Sequence, residues 1–219
     1  MSFKPTQFAV IKSLQRRTVL AGAASLLASY ASPFGAQAAS IILSAEQARA
    51  PRVIGSDDAG ITIAEYFSMT CSHCAKFHEQ TYPRVVAELV DTGRIRFELR
   101  PFPLDGLALR AHALCRALPE KSYFRMVSTL LGQQKNWIGA DDPIAALKNY
   151  ARLAGISASD FDLIMSDRPF LEALVDIRQQ AIRNFKISST PSFVVNDDTS
   201  FSGSLDYDSF LAEVNKAGL

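Results

Sequence analysis

One segment, ITIAEYF at residues 61–67, constrains the fold more than any other part of the sequence. It is β-branched, aromatic and almost free of polar residues, which is typical of a central strand covered on both faces. A helical pattern follows it, with a kink predicted at Pro83 and an end predicted near Gly93. RIRFELRPF (94–102) then alternates like a second strand. The order strand, helix, strand predicts a right-handed βαβ unit.

The rest of the chain reads as a helical block followed by a return to strands. Residues 106–185 carry helical signals, broken only at single glycines and prolines. Strand character returns in SFVVN (192–196), a turn is predicted at Asp197-Asp198, and TSFSG pairs back as a hairpin strand. The final helix is predicted to be capped by Ser204. The predicted fold class is therefore α/β, with the helical block inserted into an α/β core.

The first residues are interpreted as an export signal. Arg16 and Arg17 precede an apolar run at 18–31, and small residues frame a predicted cleavage site after Ala38. This is the plan of a secretory signal peptide at 1–38, and its apolar run is shorter than the roughly 20 residues that span a bilayer. We expect export to the periplasm, by the Sec or the twin-arginine route, where disulfides persist. A net charge of +1 leaves no basic patch, so no nucleic-acid partner is expected.

Four of the chain's six cysteines and histidines fall within MTCSHCAKFH, residues 69–78. Cys71 stands at the first turn of the helix, where unpaired N–H groups and the helix dipole stabilise a thiolate. Cys74, one turn later, can close a small disulfide loop with Cys71, and His73 offers a positive charge or an N–H donor near the sulfur of Cys71. Such a thiolate stabilises the dithiol form, so the disulfide form is expected to be an oxidant.

Glu65 interrupts the apolar strand six residues before Cys71. A carboxylate at this point is either exposed at a strand end or buried at a free-energy cost. Buried beside Cys74, it would have a raised pKa and could take or give the proton that Cys74 exchanges. Both alternatives are compatible with the sequence.

A zinc site is the main alternative use of the same residues. Its ligands would be Cys71, Cys74, His78 and either His112 or Cys115. No second C-x-x-C or H-x-x-x-H accompanies them, and Ala75 stands where haem attachment needs a histidine. Without metal, His78 is interpreted as a partly exposed surface or packing residue, and Cys115 as a buried, inert thiol.

Thr190-Pro191 leads directly into the strand that follows the helical block. Proline cannot donate to a sheet, so it belongs at the start of a strand. If this peptide bond is cis, the backbone of Thr190 would face solvent and pair with an extended substrate peptide. That pairing would align the sulfur of the substrate with Cys71.

The segments ITIAEYFSMTCSHCAKFH and STPSFVVN resemble the periplasmic thiol:disulfide interchange proteins of the DsbA type, over about residues 51–217. The resemblance implies a thioredoxin fold built from residues 39–105 and 186–219, with residues 106–185 as an inserted helical domain. It also implies a role for each residue of the site: Cys71 as nucleophile, Cys74 as resolving cysteine, Ser72 and His73 as tuners of the potential, Glu65 as buried acid, and Thr190 and Pro191 as the substrate-facing loop.

The expected activity is that of an enzyme that introduces disulfides into exported proteins and needs no cofactor. Its partners would be reduced substrate proteins and a membrane quinone-linked thiol oxidase that restores its disulfide. A monomer is expected, because only about 14 residues separate the predicted cleavage site from the first strand. Ser72 and Thr190 depart from the residues frequent in strong oxidases of the family, so a reductase or isomerase is the first alternative. A zinc- or peptide-binding module without turnover is the second.

Overall fold

The structure is a computed structural model that describes residue 41 and residues 43–218. The described residues belong to one compact unit. The predicted signal peptide at 1–38 lies outside them. Among the described residues, none of the helices combines the length and the apolar character that crossing a membrane requires.

Five strands of the described part of the chain form a single mixed sheet. They are β1 (Val53–Ile54), β2 (Ile61–Phe67), β3 (Ile95–Pro101), β4 (Ser192–Val195) and β5 (Thr199–Ser202). Their order across the sheet is β1-β3-β2-β4-β5. Strands β2 and β3 are parallel, and the other neighbouring pairs are antiparallel. The βαβ unit, the C-terminal hairpin and the central, buried position of residues 61–67 are thereby confirmed.

Ten α-helices surround the sheet within the described residues. They are α1 (Ala45–Arg49), α2 (Ser72–Gln80), α3 (Tyr82–Val85), α4 (Gly106–Ala117), α5 (Glu120–Gly132), α6 (Gln134–Ile138), α7 (Pro143–Leu153), α8 (Ala158–Ser166), α9 (Arg168–Phe185) and α10 (Tyr207–Lys216). Helices α4 to α9 lie between β3 and β4 in the chain, which confirms the predicted helical character of residues 106–185.

The helix after the cysteines differs from the prediction of one helix kinked at Pro83. Helix α2 ends at Gln80, and a new helix α3 starts with Pro83 in its first turn. Proline is tolerated at that point because the first N–H groups of a helix have no intrahelical acceptor. A π-helical turn, Val86–Val90, follows, and Gly93 then takes a left-handed φ of 75° just before β3.

The cap of the last helix was predicted at the wrong residue. Asp206, not Ser204, is the N-cap of α10, and its carboxylate accepts a hydrogen bond of 2.8 Å from the backbone N–H of Ser209. A cap must lie directly before the first helical residue to reach that N–H, and Ser204 lies two positions too early. The Thr81 hydroxyl donates to the carbonyl of Leu205 at 2.7 Å, which ties the start of α10 to the break between α2 and α3.

The two faces of the sheet are covered by different helices. On one face, Phe77 of α2 packs against Phe193 of β4 and Phe210 of α10, with ring centroids 4.8 and 5.7 Å away. On the other face, Ala181 of α9 joins a smaller cluster that includes Tyr66 of β2. Odd-numbered residues of β2 face α2, so the strand directs Glu65 towards the helix that carries the cysteines.

Candidate active site

Cys71 is the N-cap residue of α2, directly after the turn that follows β2. Its sulfur is partly exposed, whereas Cys74, one turn into the helix, is fully buried. Both cysteines are thiols in this structure. The predicted placement of Cys71 at the start of the helix is confirmed, and it leaves one sulfur accessible and the other enclosed.

The surroundings of Cys71 lower its pKa to about 5 from an ordinary value of 9.0. The largest cause is a hydrogen bond from the Cys74 thiol, which outweighs the opposing effect of partial burial. The Thr190 side chain and the backbone N–H groups of Cys74 and His73 lower the pKa further. Each of these groups donates to the thiolate, as unpaired N–H groups at a helix start can. At neutral pH, Cys71 is therefore a thiolate.

The pKa of Cys74 moves the other way, well above 9.0. Burial is the main cause, followed by the hydrogen bond to Cys71 and the negative charge of Glu65. A single donor opposes them, because the backbone N–H of Ser68 lies 3.5 Å from the Cys74 sulfur. Two cysteines three residues apart thus have opposite protonation states at neutral pH.

Ser72 and His73, between the cysteines, are both exposed. Among the groups that lower the pKa of Cys71, His73 contributes through its backbone N–H. Because Cys71 is the cap and His73 the second helical residue, that N–H is one of the free donors at the start of α2.

The Thr190–Pro191 peptide bond is cis. The carbonyl oxygen of Thr190 accepts a hydrogen bond from the Cys71 thiol at 3.3 Å. The Thr190 hydroxyl is buried and has no hydrogen-bond partner among the described residues. It is thus free to donate to the sulfur once Cys71 ionises, since the carbonyl can accept only from the thiol. The structure brings Thr190 next to Cys71 across 119 residues of chain.

Glu65 is fully buried, so the alternative of an exposed acid at a strand end is wrong. Its Oε2 lies 2.9 Å from Nε2 of His78, one turn beyond Cys74 on α2. The side chains of Glu65 and His78 are 0% and 3% exposed. His78 is therefore a buried partner of the acid and not the partly exposed residue that its sequence position indicated.

Two of the candidate zinc ligands, His78 and His112, contact other groups instead of a shared metal site. His78 bonds Glu65, whereas Nε2 of His112 lies 3.1 Å from the carbonyl oxygen of Phe67. Burial and the nearby Arg116 hold the pKa of His112 at about 3. Within the described residues, no three Cys, His, Asp or Glu side chains are grouped as metal ligands. Cys115 is a free thiol with no exposure, and burial raises its pKa, which confirms the prediction of a buried, inert thiol.

Gln134, at the start of α6, is a site residue that sequence reasoning missed. Its side-chain amide donates to the carbonyls of Met69 at 2.8 Å and Cys71 at 3.0 Å. One side chain of the helical block thus holds both ends of the turn that carries Cys71. No local pattern marks this glutamine, because its partners lie 63 and 65 residues earlier in the chain.

A family model described as thioredoxin matches residues 47–216. A protein of Rickettsia bellii named "Putative protein-disulfide oxidoreductase" is 30% identical over 145 residues, which cover 66% of this chain and 56% of that protein. A protein of the same description from Rickettsia typhi is 28% identical over 145 residues, covering 66% and 54%. The chain therefore spans a little over half the length of these curated relatives.

Solved structures share the architecture. Alpha-DsbA1 of Wolbachia pipientis matches with a TM-score of 0.69 and 24% identity, over 77% of this chain and 90% of that one. A protein-disulfide isomerase of Novosphingobium aromaticivorans matches with a TM-score of 0.67 and 19% identity, over 80% and 98%. The predicted thioredoxin fold with a helical insertion is confirmed, and the resemblance to DsbA-type proteins is confirmed at the level of the fold.

Proposed function

The chain belongs to the thioredoxin family, and from that membership we propose that it is a thiol:disulfide oxidoreductase that introduces disulfides into exported proteins. Cys71 and Cys74 would form its redox-active pair. The observation that carries this proposal is the opposite protonation of the two cysteines, a thiolate at the surface and a thiol beneath it. Disulfide exchange needs one sulfur that is both a good nucleophile and a good leaving group, and a second sulfur that stays protonated until it attacks.

In the first step, a substrate thiolate attacks the Cys71 sulfur of the disulfide form. The bond between Cys71 and Cys74 breaks, Cys74 leaves with the electron pair, and a mixed disulfide joins Cys71 to the substrate. Because the pKa of Cys74 is raised, this sulfur then takes up a proton. That proton comes from solvent, and Glu65, whose negative charge acts on Cys74, would accept it in the reverse step, when Cys74 gives it up.

In the second step, another substrate thiolate attacks the substrate sulfur of the mixed disulfide. Cys71 leaves as a thiolate, which its pKa of about 5 favours because a more acidic thiol leaves faster. The substrate gains one disulfide and loses two electrons, and the enzyme is left as the dithiol. A membrane quinone-linked thiol oxidase would accept those electrons and restore the disulfide.

Thr190 and Pro191 are the proposed substrate-facing residues. Both residues are buried, and the Thr190 carbonyl lies 3.3 Å from the Cys71 sulfur; we propose that an extended peptide pairs with the backbone at this point. The N-terminal pattern at 1–38 supports export to the periplasm. We also propose that the protein acts there as a monomer. A reductase or isomerase remains the alternative, because Ser72 and Thr190 depart from the residues frequent in strong oxidases of the family; the lowering of the Cys71 pKa by the Thr190 side chain, in contrast, favours an oxidant.

The reduction potential of the protein tests the proposal. The protein without residues 1–38 is equilibrated with glutathione buffers, and a Cys115→Ser variant isolates the couple of Cys71 and Cys74. A potential near about −120 to −150 mV supports an oxidant of substrate proteins. A potential at or below about −200 mV makes the protein a reductase or isomerase, and the absence of any reversible two-electron couple overturns the redox proposal itself.

A further inference from the structure

We infer that His78 is a positioning residue that holds Glu65 as a carboxylate, ready to take the proton of Cys74 when Cys74 attacks. The inference rests on the proposed function and adds to it a residue and a specific step. Three features of the described residues carry it: the contact between the two side chains, their burial, and the charge of Glu65 on Cys74.

The first feature is the hydrogen bond between the pair. His78 Nε2 and Glu65 Oε2 are 2.9 Å apart. A ring N–H that donates to a carboxyl group favours its ionised form, because the anion is the better acceptor. An isolated carboxyl group at the same buried position would instead be driven towards its neutral form by desolvation. The histidine therefore decides whether Glu65 is available as a base.

The second feature is that nothing else among the described residues stabilises the acid. Glu65 Oε1 and His78 Nδ1 are both buried and have no hydrogen-bond partner there. Aromatic rings enclose the pair, with the ring of Tyr82 centred 4.6 Å and that of Phe67 5.8 Å from the ring of His78. Since an unpaired charge in such a place is costly, His78 is the group on which the ionisation of Glu65 depends.

The third feature is the link to Cys74. The negative charge of Glu65 contributes to the raised pKa of Cys74, so the two groups interact electrostatically. A proton that moves from the Cys74 thiol to Glu65 leaves the total buried charge unchanged, because one anion replaces another. Ionisation of Cys74 without that transfer would bury two negative charges together, which electrostatic repulsion opposes.

The reaction in which this transfer takes place is the closure of the disulfide. When Cys71 carries a mixed disulfide with glutathione, Glu65 takes the Cys74 proton and the Cys74 sulfur attacks the Cys71 sulfur. The bond between Cys71 and glutathione breaks, and glutathione leaves as a thiolate. Cys74 is oxidised, the glutathione sulfur is reduced, and the proton ends on the Glu65 carboxyl group.

Other titratable groups lie near His78, and their effects on the closure rate have to be distinguished from the effect of His78. They are Glu65 of β2, Cys74 of α2, Tyr82 of α3 and, beyond the ring of Phe67, His112 of α4. Burial raises the pKa of Tyr82, so its hydroxyl stays neutral over the working range. His112 is equally buried but bonds a backbone carbonyl, which makes it a matched control for the loss of a buried histidine.

The test follows disulfide closure as a function of pH. Reduced protein is mixed with oxidised glutathione, the reaction is quenched with acid, and the decay of the mixed disulfide is followed by mass between pH 4 and pH 9. We expect the closure rate of the wild-type protein to rise with the ionisation of Glu65. His78→Leu should move the midpoint of that rise upward by at least about one pH unit, a tenfold change in proton affinity. His78→Gln keeps a donor to the carboxylate and should return the midpoint most of the way to its wild-type value.

The control variant His112→Gln should leave the midpoint in place. A wild-type midpoint in His78→Leu, or an equal shift in His112→Gln, overturns the inference. The carboxyl ¹³C resonance of Glu65 in the wild-type protein gives a second readout that needs no variant, and a protonated Glu65 at pH 7 in the reduced form contradicts the inference. If the wild-type protein forms no disulfide with glutathione at any pH, the proposed function fails; if it does and the midpoints coincide, only the role of His78 fails.

Discussion

At the scale of single residues, the chemistry of the site follows from which donors reach which sulfur. The Cys74 thiol, the Thr190 side chain and two backbone N–H groups lower the pKa of Cys71, while Cys74 has one weak donor and a nearby anion. The two thiols are chemically identical in an unfolded chain. Their difference in the folded protein is produced entirely by position, and it can be measured one donor at a time.

Substitution of Thr190 tests the donor that its hydroxyl supplies to Cys71. Thr190→Val keeps the shape of the side chain and the backbone carbonyl but removes the hydroxyl, so we expect the pKa of Cys71 to rise above its value of about 5. Thr190→Ser retains the hydroxyl and should leave the pKa close to that of the wild-type protein. Absorbance of the thiolate near 240 nm during an acid titration measures both. An unchanged pKa in Thr190→Val would show that the hydroxyl does not reach the sulfur.

The pH dependence of the reduction potential tests the assignment of the low pKa. Below a pH of about 5, reduction of the disulfide takes up two protons with two electrons, and above it Cys71 stays a thiolate and only one proton is bound. We therefore expect the potential to fall by roughly 60 mV per pH unit below pH 5 and by roughly 30 mV per unit above it. A slope near 60 mV that continues to pH 7 would contradict a thiolate at Cys71.

At the scale of helices and strands, the site depends on a contact between the helical block and the turn that carries Cys71. Gln134 of α6 spans the carbonyls of Met69 and Cys71 and fixes the turn from which α2 starts. The N–H groups that stabilise the Cys71 thiolate point correctly only while that turn is held. The helical block thus has a structural role at the site in addition to enclosing it.

Replacement of Gln134 by alanine should both destabilise the protein and loosen the turn. Two partly buried carbonyls lose a donor, so we expect the free energy of unfolding to fall by about 1 to 2 kcal/mol and the pKa of Cys71 to rise. Asn136→Ala is the matched control, because the Asn136 amide lies in the same helix but bonds only the exposed side chain of Gln133. Urea unfolding and thiolate titration measure the two effects. Equal effects of the two substitutions on stability and on the Cys71 pKa would show that Gln134 does not support the turn that carries Cys71.

Local patterns predict the elements well, but they do not give the long-range side-chain partners of residues such as Gln134 and His78. The strand at 61–67 was predicted correctly because burial on both faces leaves a nearly continuous apolar run. The caps were harder: Ser204 and Asp206 are both good capping residues two positions apart, and only the backbone path decides between them. Gln134 and His78 could not be identified from the sequence, since what gives each a role is a partner supplied by the fold.

At the scale of the whole molecule, ionisation of the site is coupled to stability. The pKa of Cys71 is about 5 in the folded protein and near 9 in an unfolded chain, so the unfolded state binds more protons between these values. Stability contributed by the thiolate is therefore fully present above pH 9 and is lost as the pH falls through 5. Cys74 has a raised pKa, so its opposing effect begins only where its thiol ionises in the unfolded chain, near pH 9.

The reduced protein should accordingly become more stable, relative to a Cys71→Ser variant, as the pH rises from 5 to 9. The difference in the free energy of unfolding between the two proteins changes by at most about 1.4 kcal/mol per pH unit. The change is smaller in practice, because solvent screens the partly exposed sulfur. Urea unfolding under reducing conditions at four pH values measures it. A difference that stays constant with pH would mean that Cys71 titrates alike in the folded and unfolded chains.

The distance along the chain between Cys71 and Thr190 has a consequence for synthesis. During synthesis, Cys71 is added to the chain 119 residues before Thr190. Gln134 is also added after Cys71. Contacts of such long range form late, once most of the chain is available to fold. A partly synthesised chain therefore lacks the Thr190 donor and the Gln134 contact, and Cys71 reaches its full acidity only after residue 190 has been added.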